Sequence, residues 1–156
     1  MRLFAVLLAV ALAVLPSAAA GTGPPPSRGA EVRHALAVLH GWDVRRARAW
    51  AGSDERALIA LYARGSTAAR ADVRLLRSYR ARGFVVRRIV TQVFGLRVLR
   101  RTPHRLVVRL LDRVAGGEVM TPDGVVPLPS TAPAVRRIVL VRVADAWRVA
   151  SVTGWG

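Results

Sequence analysis

The chain has 156 residues, a formal net charge of +16 and no cysteine. That leaves room for one domain of ordinary size and excludes disulfides, thiol catalysis and a lipid-modified N-terminal cysteine. All 25 basic residues are arginine, as a very GC-rich coding sequence produces, and they form no block of five or six like charges and no interleaved aromatic platform. The charge therefore predicts a solvated basic surface, loosely attracted to an anionic cell envelope, and no specific nucleic-acid site.

Residues 1–20 read as a secretory signal peptide: Arg2, an apolar run from Leu3 to Leu15, a break at Pro16 and the small residues Ala18-Ala19-Ala20. The alternative is an uncleaved N-terminal anchor, although the run is shorter than the ~20 apolar residues of a spanning helix and is followed by small residues, not a basic stop. No later stretch is long and apolar enough to span a bilayer, so the expected product is secreted or extracytoplasmic, without a transmembrane segment after cleavage. Residues 21–29 (GTGPPPSRG) read as a Pro/Gly-rich linker, and residues 30–156 as a single domain.

Three helices are predicted at the start of that domain. Val32, Leu36, Leu39, Trp42 and Trp50 recur at helical spacing from Glu31 to Ala51, with Gly41 as a point of kinking or division. Gly52-Ser53-Asp54 ends this helix and supplies an N-cap for the next, where Leu58, Leu61 and Tyr62 are core candidates alongside Ala57. A third helix runs from about Thr67 to Arg82. Leu75, Leu76 and Tyr79 make its apolar side and Arg70, Arg74 and Arg77 a stripe on the other, which is a solvated face or a docking surface for an acidic partner. Gly83 is placed to terminate it. His34 and His40 lie six apart, which does not stack them on a helix, so no metal or cofactor site is expected there.

From Phe84 to Val114 two runs rich in Val, Ile, Leu and Phe flank Thr102-Pro103-His104, a long β-hairpin signal around which the domain is expected to fold. An odd loop centred on Pro103 collects Phe94, Leu96, Val98, Val108, Leu110 and Val114 on one face. Arg97, Arg109 and Arg113 then lie on the other face, with Val93, Leu99, Val107 and Leu111. The apolar face in this register carries two polar residues, Gln92 and Asp112. Ala115 to Ala134 is looser, with a turn at Thr121-Pro122-Asp123-Gly124, a small accessory hairpin pairing Glu118–Met120 with Val125–Leu128, and prolines that suit an edge strand, a lid or a plain surface loop. Arg137–Ala144 and Trp147–Val152 make a second hairpin, apolar on both faces.

Trp50-Ala51-Gly52-Ser53-Asp54, then Leu58, Leu61-Tyr62 and Gly65-Ser66, resembles the opening of the nuclear transport factor 2-like, or SnoaL-like, superfamily. Asp145-Ala146-Trp147-Arg148-Val149 resembles its closing hairpin, and the likeness spans about Glu31 to Trp155, similar to the secreted actinobacterial members. The resemblance implies an α+β fold in which three N-terminal helices pack in a curved, mostly antiparallel sheet to form a cone with an internal pocket. It also implies a homodimer through the sheet's outer face as one assembly. No catalytic motif of the superfamily's enzymes transfers residue by residue.

Three functional expectations follow, the third being binding of a polyanion through the arginine-rich surface. The first is a non-catalytic secreted domain that binds a small apolar ligand or serves as an accessory module of the cell envelope, with Tyr62, Gln92, Phe94, Leu110 and Asp112 lining the pocket. All three histidines fall outside the expected interior. The second is an isomerase, cyclase or dehydratase in which Asp112 is the general base and Gln92 or Tyr62 holds a developing oxyanion. Desolvation would raise the Asp112 pKa and a nearby arginine would lower it; Arg142 and Arg148 are the expected partners of a structural Asp112.

Overall fold

The computed structural model describes residues 27–154. The expected signal peptide, the linker up to residue 26 and residues 155–156 lie outside the described residues. Helix α1 (Arg28–Ala51) begins earlier than expected because Ser27 caps it, its hydroxyl accepting from the Ala30 amide at 3.3 Å. It continues through Gly41 without a break. Asp54 caps the short α2 (Glu55–Ala60), its carboxylate accepting from the Ala57 amide at 2.9 Å. Helix α3 (Thr67–Ala81) ends as its sequence predicts: Gly83 takes φ 72°, and the amides of Gly83 and Phe84 donate to the carbonyls of Arg80 and Tyr79. Tyr79 and Phe84 meet edge to face across that joint, and the Arg82 guanidinium lies over both rings.

A single antiparallel sheet follows, built from β1 (Val85–Thr102), β2 (Arg105–Thr121), β3 (Gly124–Leu128), β4 (Ala134–Val143) and β5 (Ala146–Gly154). The order is β1-β2-β4-β5, and β3 pairs with the far arm of β2 as the expected accessory hairpin. The fold is α+β, with the helices laid against the curved sheet. Leu39, Trp50, Leu58 and Leu76 from the helices meet Leu106, Val108, Leu110, Ile138, Leu140 and Val149 from the sheet. Each such side chain contributes about 1.5–3 kcal/mol by leaving water. Beyond β5, the segment around Tyr62 adds a short parallel rung, with Ala63 donating to the Val149 carbonyl and Val149 to that of Leu61. Among the described residues no helix is long and apolar enough to cross a membrane.

The long hairpin holds its expected register only in the middle, where Leu96, Arg97 and Val98 face Leu110, Arg109 and Val108. At the tip Thr102 pairs with Arg105, so the loop is two residues, and an extra residue at Leu99 restores the odd register. A second bulge at Phe94 shifts it again: Val93 pairs with Asp112 and Gln92 with Arg113. One inserted residue turns every side chain before it to the opposite face. Val93 and Thr91 therefore face the helices, while Gln92 and Phe94 are exposed on the outside. In the last hairpin a similar irregularity at Ala150 explains the apolar mixture, because it lets both Val149 and Val152 pair with inward-facing residues, Leu140 and Ile138. Its two-residue turn is Ala144-Asp145, both with positive φ.

Candidate functional site

Between α1, α3 and the concave face of the sheet lies a cavity of about 630 Å³. Leu39, Leu110, Ile138, Val149 and Val152 supply apolar wall, and exposed Leu36, Leu75 and Val93 stand at its rim. The volume falls within the range of small-molecule pockets. Three aspartates line it, and the two buried ones, Asp112 and Asp72, give it polarity.

Asp112 reaches the cavity from β2 and is 6 % exposed. Arg136 Nε on β4 stands 3.0 Å from its Oδ1, but the approach is not aligned as a hydrogen bond, and that buried oxygen has none. Burial pushes the Asp112 carboxyl above its ordinary range; Arg136 works against this, and Asp43 on α1, which also lines the cavity, adds to it. The partner is thus Arg136, not Arg142 or Arg148: β4 pairs with β2 and brings Arg136 alongside, whereas Arg142 pairs with Asp145 in the distant turn.

The second carboxylate, Asp72 on α3, has no counterpart in the sequence-based expectations. Arg46 Nε donates to its Oδ2 at 2.7 Å while Nη2 donates to Oδ1, the Tyr62 hydroxyl donates to Oδ2 at 2.7 Å, and Trp50 Nε1 donates to Oδ1 at 3.3 Å. Burial alone would lower the Arg46 pKa, but the hydrogen bonds and charge of Asp72 raise it above the ordinary value. Burial, followed by the Asp72 charge, raises that of Tyr62. A signal was present: Asp72 shares the i, i+4, i+7 face of α3 with Leu76 and Tyr79, and an acid on a buried stripe needs partners. Arg46 and Trp50, one turn apart on α1, supply two of them.

Of the expected lining residues, Tyr62, Leu110 and Asp112 come together in the cavity. Gln92 does not: it accepts a hydrogen bond from Arg113 Nε at 3.0 Å on the exposed face, and Phe94 stands out beside the same guanidinium, 48 % exposed. The bulge at Phe94 is the physical reason. None of the three histidines is buried; His40, exposed on α1, stands at the cavity's edge. Among the described residues no three His, Asp or Glu side chains are grouped to hold a metal ion.

No protein-family model matches the chain, and neither does any curated protein sequence. Solved structures do. Aln2 from a Streptomyces species aligns at a TM-score of 0.51 with 17 % identity, over 78 % of this chain and 89 % of that one. A protein from Catenulispora acidiphila aligns at 0.50 with 17 % identity, over 80 % of this chain and 93 % of that one. The intermembrane-space region of the chloroplast protein ARC6 aligns at 0.54 with 11 % identity, over 85 % of this chain and 99 % of that one. With the helix triplet, the long bulged hairpin and the cavity they enclose, these likenesses establish that the chain has the nuclear transport factor 2-like, or SnoaL-like, fold.

Proposed function

We propose that the protein is an extracytoplasmic, non-catalytic binder of a small, mostly apolar molecule, held in the cavity between the helices and the sheet, and that it serves the cell envelope as an accessory module. The observation that carries this is the state of the cavity's polar groups: the Tyr62 hydroxyl is committed to Asp72, and Asp112 is paired with Arg136. Gln92 is on the outer face, and Tyr62, the other candidate to hold an oxyanion, lines the cavity with its hydroxyl already donated to Asp72. The apolar wall supplies affinity, and the carboxylates orient a polar group on the ligand.

A neutral fluorescent probe, N-phenyl-1-naphthylamine, tests this. It should bind saturably, and Val93→Trp, which adds bulk at an exposed rim position, should weaken binding about tenfold, or about 1.4 kcal/mol. Absence of saturable binding, or an affinity unchanged by Val93→Trp, would count against the cavity.

A second reading, an isomerase, cyclase or dehydratase with Asp112 as general base, is favoured by one observation: the carboxyl is desolvated, with an elevated pKa and one oxygen free of hydrogen bonds. Retention of the biological effect by a folded Asp112→Asn variant would dismiss it. As for assembly, a homodimer through the outer sheet face is disfavoured by the cross-strand row Arg97, Arg109 and Arg137.

A further inference from the structure

The arginine stripe of α3 opens on a second hollow, also of about 630 Å³, on the far side of Tyr62 from the cavity. Its apolar wall includes Ile59, Ala69 and Val73, and five arginines line it with a single acid, Glu55. Two of the five are engaged: Arg77 is bonded to Glu55 through two nitrogens, and Arg70 donates to the Gly65 carbonyl at 3.2 Å. Arg64, Arg74 and Arg148 make no hydrogen bond or ion pair among the described residues, and the Arg148 Nε is buried without any partner. A buried guanidinium N–H without an acceptor costs free energy, and the remaining Arg148 nitrogens, also without a protein acceptor among the described residues, are the ones an anion in the hollow can reach. Arg64 and Arg74 are exposed and Arg148 is half-buried, so the hollow presents three guanidinium groups without a protein acceptor among the described residues beside an apolar wall.

We infer that this hollow binds an amphiphilic anion, a phosphate monoester with an apolar tail, its phosphate held by Arg64, Arg74 and Arg148 and its tail laid on Ile59 and Val73. Guanidinium forks suit phosphate because they present paired donors and keep their charge. The apolar wall distinguishes such a ligand from inorganic phosphate.

Calorimetry of the purified protein with decyl phosphate below its micelle concentration, inorganic phosphate and decanol tests the inference. Decyl phosphate should bind at a single site, about tenfold or more tighter than either comparison compound. The exposed pair Arg64→Gln/Arg74→Gln should weaken it about tenfold, as should Arg148→Gln if its melt shows it folded, whereas Arg97→Gln/Arg101→Gln, which removes the same charge from the sheet, should change it less than about twofold. Equal losses in both double variants would reduce the effect to bulk charge and overturn the inference. One-for-one displacement of N-phenyl-1-naphthylamine by decyl phosphate would also overturn it, since the anion would then occupy the main cavity. Failure of the naphthylamine probe alone leaves this site standing and removes only the proposed function. Flotation with phosphatidic acid vesicles separates the sources: arginine-dependent retention supports a lipid headgroup as the natural anion, and decyl phosphate binding without retention supports a soluble one. Binding to neither, or vesicle retention without any binding of decyl phosphate, overturns the site.

Discussion

The two buried aspartates have opposite expected effects on stability. Asp72 is matched on both oxygens by Arg46, Tyr62 and Trp50, so removing it strands a charge and two donors. Asp72→Ala should cost about 3–5 kcal/mol, toward the lower end because the Arg46 side chain, 22 % exposed, can partly rehydrate. Tyr62→Phe removes one of several bonds to the same carboxylate and should cost about 1 kcal/mol. Urea midpoints at constant slope measure both, and a loss under about 1 kcal/mol for Asp72→Ala would contradict a structural centre there. Asp112 is only half matched. Its carboxyl lies above the ordinary value of 3.8 in the folded chain, so the native state holds that proton more tightly than the unfolded state. Stability attributable to it is full below the ordinary value and is lost as pH rises through the raised one. Asp112→Asn should therefore melt no lower than the parent at neutral pH, and higher by about 2–5 °C if relieving the ill-matched oxygen gains about 1 kcal/mol. The difference should vanish on acidification below the ordinary carboxylate range. A variant that melts well below the parent at neutral pH would show instead that the Arg136 pair stabilises the fold.

At the scale of elements, caps and turns were legible in the sequence because their chemistry is local. Asp54, Gly83 and the Thr121–Gly124 turn each act through neighbours within a few residues. The hairpin's existence was legible for the same reason. Its register was not, because bulges at Leu99 and Phe94 leave no polarity signature yet decide which side chains enter the cavity. This is why Leu110 and Asp112 line the cavity while Gln92 and Phe94 lie outside it. Asp72 was missed because its partners come from α1 and the segment after α2, and their approach is set by packing. Gly117 was silent for a related reason: a Cβ there would lie 2.1 Å from the Arg88 carbonyl oxygen on β1. The obstruction is backbone, which cannot swing aside, so Gly117→Ala should cost about 1–3 kcal/mol or force the far arm of the hairpin to shift. Gly41 makes the contrast. It sits inside α1 with nothing within 4 Å of an added Cβ, and Gly41→Ala should stabilise by about 0.5–1 kcal/mol. Thermal melts of the two variants should move in opposite directions; a common direction would refute the close approach at Gly117.

At the scale of the whole molecule, the question is whether the sheet's outer face needs a second copy to cover it. Val107 and Val139 pair with each other on that face and are already buried within one chain, 3 % and 2 % exposed, outside the cluster that the helices cover. Immediately beside them Arg97, Arg109 and Arg137 stand side by side across three strands. Like charges directly opposite one another already oppose pairing within a sheet. Stacking a second copy would bring two such rows together while desolvating them, at a cost that the exposed apolar residues of the face, Phe94, Leu99 and Leu111 among them, would have to offset. The repulsion is screened by salt, with a Debye length of about 10 Å at 0.1 M. The expected species is therefore a monomer at low ionic strength, and any self-association should strengthen as salt is added, the reverse of what holds a charge-paired dimer together. Light scattering on the eluting peak at about 0.05 M and 0.5 M sodium chloride reads this directly. A dimer at the lower salt, loosening at the higher, would mean that carboxylates of one copy meet this arginine row in the other, and the sheet face would then have to be counted as an interface.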